Sequence, residues 1–140
     1  MVSYSEIIEA PLEKVWEHFI YKIEHPENFV PGVSNVVMKE KTDDFVIRQM
    51  DISLPNQPKV TVTEKITHSP YQVNFLIIDH PIYKGFVDNF AEKISRTTTK
   101  ITFSLNWVAK ETGEAVNTQD IVRNAVLKTV DYILRSTAGK

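Results

Sequence analysis

The chain has 140 residues, 42% of them hydrophobic and 24% charged, with a formal net charge of −2. That length suits one domain, residues 1–140, with a sizeable core, and the near-neutral charge argues against a nucleic-acid backbone or an anionic membrane as partner. There is no cysteine, which excludes disulfides, thiolate metal sites and a cysteine nucleophile, and fits a reducing, cytoplasmic setting.

The opening MVSYSEIIEA has neither the basic segment nor the apolar run of a signal peptide. No stretch approaches the ~18 apolar residues of a membrane span. Residues 2–9 alternate loosely and read as a strand. Ala10-Pro11 follows, and proline suits a helix's first turn. Residues 11–23 then place Leu12, Val15, Trp16, Phe19, Ile20 and Ile23 at helical spacing, with Glu13, Lys14, Glu17 and Lys22 mostly opposite. His25-Pro26 ends this helix, because the residue before proline avoids helical angles. Residues 26–30 fit a short second helical turn, broken by Pro31-Gly32.

Six strand-like runs come next, at 33–41, 45–53, 59–67, 71–78, 84–95 and 99–109. The proline-containing stretch 54–58 is a loop. Residues 118–137 form the last element. Ile121, Val122, Ala125, Val126, Val130, Ile133 and Leu134 recur at helical period, with Asp120, Asn124, Lys128, Asp131 and Arg135 opposite. Asn117 or Thr118 is a candidate cap and Gly139 a stop signal. This helix either sinks wholly into a core or packs on a sheet and roofs a cavity. Consecutive strands with short connections make an antiparallel meander. The whole is an α+β domain: a seven-stranded antiparallel sheet, two short helices after its first strand, and a long C-terminal helix on its apolar face.

Strand alternation singles out the residues for chemistry. Glu64 shares a face with Val60, Val62 and Ile66, and Arg48 with Val46, Met50 and Ile52. Two opposite charges on one interior face should pair, since a lone buried charge is costly. The pair either fixes the sheet or anchors the polar end of a ligand. Asn89, between Val87 and Ala91, either binds a ligand or closes a gap at a bulge. Ile101, Phe103, Leu105 and Trp107 form an apolar stripe. Trp107 and Tyr83, near strand ends, suit a cavity mouth. None of the four histidines has metal-ligand spacing, so no metal is expected, and His80 reads as an exposed turn residue or a general base. The four glycines are scattered, without a phosphate loop or dinucleotide fingerprint, so no cofactor is expected.

The element order resembles the helix-grip superfamily of START lipid-binding domains, birch-pollen-allergen-like proteins and polyketide cyclases (SRPBCC). Ala10-Pro11 followed by Val15-Trp16 is similar to the usual entry into the first helix of these domains. The sequence is most similar to the AtaL-like group within it. That likeness is carried by Pro26-Glu27-Asn28-Phe29-Val30-Pro31-Gly32, Arg48, Glu64, Ser69-Pro70, Val73, Phe75, Asn89, Ile101-Thr102-Phe103, Ala125-Val126, Thr129-Val130 and Tyr132-Ile133. The resemblance implies a sheet curled around the C-terminal helix with a ligand cavity between them. The expected partner is a small hydrophobic molecule of lipid, polyketide or aromatic type. Arg48, Glu64 and Asn89 would orient its polar end, and Phe75, Phe86, Phe103, Trp107, Val126, Val130 and Ile133 would wall the cavity. Two alternatives stay open. One is a cyclase- or hydrolase-type enzyme, with Arg48 stabilising an oxyanion and Glu64 or His80 moving a proton. The other is an interaction module with a filled interior. Oligomeric state is not readable from these residues.

Overall fold

The structure is a computed structural model that describes residues 1–53, 55–115 and 118–138. Leu54 of the expected loop, the cap candidate Asn117 and the stop candidate Gly139 lie outside them. The elements run β1 (Val2–Ile8), α1 (Leu12–Glu24), a 3-10 turn (Pro26–Asn28), β2 (Val33–Lys41), β3 (Val46–Ile52), β4 (Val60–Ser69), β5 (Gln72–Asp79), β6 (Tyr83–Lys84), β7 (Phe86–Lys93), β8 (Thr99–Leu105), β9 (Val108–Ala109) and α2 (Gln119–Ala138).

Seven strands form one antiparallel sheet in the order β1-β8-β7-β5-β4-β3-β2. The meander from β2 to β8 follows the chain, and β1 closes onto β8. Alternation decides which side is buried. Val62, Glu64 and Ile66 of β4 face inward while Thr61 and Lys65 face out. On β8 the inward set is Ile101, Phe103 and Leu105. The long helix α2 packs against β1 and β8, and α1 packs against β7. The core between these layers contains Val15, Phe19, Ile66, Val73, Val126 and Ile133.

The two long runs expected at 84–95 and 99–109 are each broken in the structure. Gly85 sits at φ +131°, where a Cβ would lie 2.7 Å from the Asn106 carbonyl oxygen. The Asn106 side chain accepts the Phe86 N–H at 2.7 Å, replacing a ladder bond. The outer ends therefore peel away and pair separately, as β6 with β9. Phe86, Trp107 and Val108 suit a strand and hide the break, while the residues at the break itself, Gly85 and Asn106, are types that strands disfavour. Thr118 starts α2 through its backbone carbonyl, which accepts the Val122 N–H at 3.0 Å. Its hydroxyl is buried without a hydrogen-bond partner among the described residues, so it does not act as the expected side-chain cap.

Candidate ligand-binding site

A cavity of about 90 Å³ lies between the sheet and α2. Eleven apolar and three charged residues line it, the charged ones being Lys22, Arg48 and Glu64. The sheet brings the last two together. Arg48 of β3 and Glu64 of β4 stand directly opposite in register, and a guanidinium Nη2 donates to Glu64 Oε1 at 2.6 Å. Both residues are almost fully buried. A register irregularity between β4 and β5 falls at Thr63 and Glu64, where Ile78 has no partner of its own. The same guanidinium closes the end of α1, donating from Nη1 to the Ile23 carbonyl at 2.9 Å and to the Lys22 carbonyl at 3.4 Å. Arg48 thus satisfies carbonyls that a helix C-terminus leaves open. Its Nε–H has no acceptor among the described residues.

Lys22 overturns the reading of α1. It was expected with the polar residues, yet only 4% of it is exposed. The spacing explains why: Lys22 follows Val15 by seven residues and Phe19 by three, so it falls on the buried stripe. That spacing was the available signal, masked by residue type. Lys22 Nζ donates to Asn89 Oδ1 at 2.5 Å and sits 4.3 Å from the centre of the Phe103 ring. No carboxylate among the described residues pairs with it, since Glu64 is engaged by Arg48. Burial pulls its ammonium down to about 7, the Arg48 charge adds to the fall, and Glu64 opposes it.

Of the other expected site residues, Phe75, Phe103 and Trp107 line the cavity. Asn89 is fully buried and is occupied as the acceptor for Lys22. Phe86 lies half-buried at the start of β7, outside the lining. Val126 and Ile133 are core residues and Val130 packs on that core. The helix contributes Ile121, Val122 and Ala125 to the wall instead, one to two turns nearer its N-terminus.

His80 is not exposed: it is 2% accessible. Its Nδ1 accepts the N–H groups of Ile82 and Tyr83 at 3.0 and 3.1 Å. Burial holds it below the ordinary imidazole range, with Lys110 adding to the fall. With Tyr83 it packs against Trp107, under the β6–β9 pair, beside a smaller hollow that shares Ile52 and Trp107 with the main cavity. The Trp107 indole N–H is buried and without a partner among the described residues.

A long C-terminal helix held on a curved antiparallel sheet, with a lined hollow between them, is the helix-grip architecture. The chain belongs to the AtaL family: the model of acetylaranotin biosynthesis cluster protein L matches residues 11–139. Solved structures share the fold at low sequence identity. The Zhui aromatase/cyclase from Streptomyces sp. R1128 superposes with a TM-score of 0.77 at 13% identity, covering 96% of this chain and 91% of that one. The di-domain ARO/CYC StfQ from the steffimycin biosynthetic pathway gives 0.79 at 13% identity, covering 99% of this chain and 46% of that one. Ara h 8.0201 gives 0.70 at 14% identity, covering 95% and 97%. A search of curated protein sequences finds no significant match.

Proposed function

We propose that this protein binds a compact, mostly apolar molecule in the cavity between the sheet and α2, with acceptor oxygens at the ligand's polar end. The observation that carries this reading is the make-up of the wall. Apolar side chains surround one charged cluster, and Arg48 and Trp107 each keep a buried N–H without an acceptor among the described residues. Buried donors are ordinarily satisfied, and binding sites pair an apolar wall with a few placed polar groups. Size sets the ligand class. A water site needs roughly 10–15 Å³, so about 90 Å³ is room for a small organic group. Cavities for drug-sized ligands run to roughly 300–1,000 Å³, so a single ring or short chain fits best. The solved aromatase/cyclases with the same fold support a small-molecule reading over a surface-borne one.

Native mass spectrometry of gently purified protein, with an organic extract analysed beside it, tests the proposal. A stoichiometric adduct of low molecular mass is expected. A clean apo mass, together with no binding of compact aromatic probes, would overturn it.

A second reading, chemistry of cyclase type on that ligand, is favoured by Lys22. An amine that titrates near 7 can exchange a proton at neutral pH. Glu64 is held by Arg48 and His80 by backbone N–H groups, so neither suits that task as well. Turnover of the extracted compound, lost in Lys22→Met, is the corresponding assay.

A further inference from the structure

The charges around the cavity do not balance. Lys22 and Arg48 are two basic groups, and among the described residues Glu64 is the one acidic group facing them. The other elements around Lys22 supply no charge: Phe75 comes from β5, Asn89 from β7, Phe103 from β8, and Ile121, Val122 and Ala125 from α2. The polar atoms left over point the same way. Arg48 Nε, Asn89 Nδ2 and Trp107 Nε1 are all buried donors without an acceptor among the described residues. A neutral ligand would answer the missing hydrogen bonds and leave the missing negative charge.

We propose that the ligand is an organic carboxylate on a compact apolar body, bound as the counter-ion that Lys22 lacks. This rests on the cavity being a ligand site, as argued above. A carboxylate offers about four lone-pair positions and no donor, matching a cluster whose surplus is entirely donors. In the free protein the amine is largely uncharged above neutral pH, because burial and Arg48 both oppose its proton. An arriving carboxylate reverses that. The amine takes one proton from solvent or buffer, an N–H bond forming as the donor's bond to that proton breaks, and the resulting ammonium pairs with the bound anion. Binding therefore takes up a proton above pH 7 and takes up almost none well below it.

The test is isothermal titration calorimetry with benzoate and 2-naphthoate, each against its carboxamide. Runs are made at pH 6 and pH 8, in buffers of low and high ionisation enthalpy. The carboxylate should bind at least about tenfold tighter than its amide at pH 6, and its affinity should weaken by up to about tenfold per pH unit above 7. At pH 8 the buffer dependence should report close to one proton taken up per ligand, roughly 0.9 for a group titrating near 7. Lys22→Met should abolish the proton uptake and the preference for the carboxylate over the amide. Amide binding as tightly as carboxylate, or carboxylate binding without proton uptake at pH 8, overturns the inference and leaves the ligand site standing. Failure of all four probes to bind overturns the inference and counts against the ligand site as well.

Discussion

Lys22 shows how one side chain can be misplaced by its type and correctly placed by its spacing. Its four-carbon stem follows the buried stripe of α1, and its amine ends beside Asn89 and Phe103. The cost appears as a pH dependence. The amine titrates near 7 in the folded protein and at the ordinary 10.5 when unfolded. Between those values the unfolded chain holds a proton that the folded one has released, so stability rises with pH through that window. Below about 7 the amine is charged in both states and its burial penalty is at its greatest. In urea unfolding, Lys22→Met should therefore be more stable than the parent at pH 6. The gap should close as pH rises toward 9, by up to about 1.4 kcal/mol per unit. His80 titrates in both proteins and drops out of the difference. A gap that stays constant with pH would mean the amine keeps its charge throughout. The Arg48–Glu64 pair was legible, because β4 alternates cleanly and Arg48 shares a face of β3 with Val46, Met50 and Ile52, although Phe45 and Ile47 stand on the other face; the guanidinium's hold on the end of α1 was not, since no local pattern links residue 48 to residue 23. Removing one partner strands a buried charge, which costs about 3–5 kcal/mol. Arg48→Met and Glu64→Leu should each fall in that range, and the double variant should lose less than the two losses added together. Additive losses would show that the two groups are not coupled.

At the scale of elements, period was a good guide and continuity a poor one. The bounds of β2 agree with the expected run at 33–41, and α2 lies within one residue of the expected helix at each end. β2 carries punctuation at its borders: Pro31-Gly32 before it and turn residues 42–44 after it. The interruptions at Gly85 and Asn106 are marked only by those two strand-disfavoured residues, because they depend on two strands approaching each other in space. Gly85 carries the break, since its backbone angle disfavours a side chain and its missing Cβ leaves room for Asn106. Gly85→Ala should lose about 1–3 kcal/mol. Phe86 N–H depends on Asn106 Oδ1, so Asn106→Leu should lose about 1–3 kcal/mol by leaving that donor unmet. Thermal unfolding checks both. Trp107 lies one residue beyond Asn106, so its fluorescence should shift in both variants if the break positions the cavity wall. An Ala variant as stable as the parent, with unchanged fluorescence, would refute that role for Gly85.

For the whole molecule, the sheet and α2 could have closed on each other and did not. Ala125 lines the cavity at a position where a larger apolar residue would reach into it. Unfilled space has a known scale of cost, roughly 24 cal/mol per Å³. Applied to about 90 Å³, it amounts to about 2 kcal/mol, a noticeable share of the 5–15 kcal/mol typical of a domain. A fold with a filled interior would gain that stability without changing a single strand. Ala125→Met brings three heavy atoms of a flexible side chain into the space. It should raise the free energy of unfolding by about 1–2 kcal/mol, measured in urea. If the hollow is a ligand site, the same substitution should also displace the adduct seen by native mass spectrometry and weaken benzoate binding. The two readouts would then move in opposite directions, with stability up and uptake down. A variant that gains stability and keeps its ligand would separate the void from the site and move the search to the hollow beside His80 and Trp107. A variant that loses stability would show that α2 already sits as close to the sheet as its side chains allow.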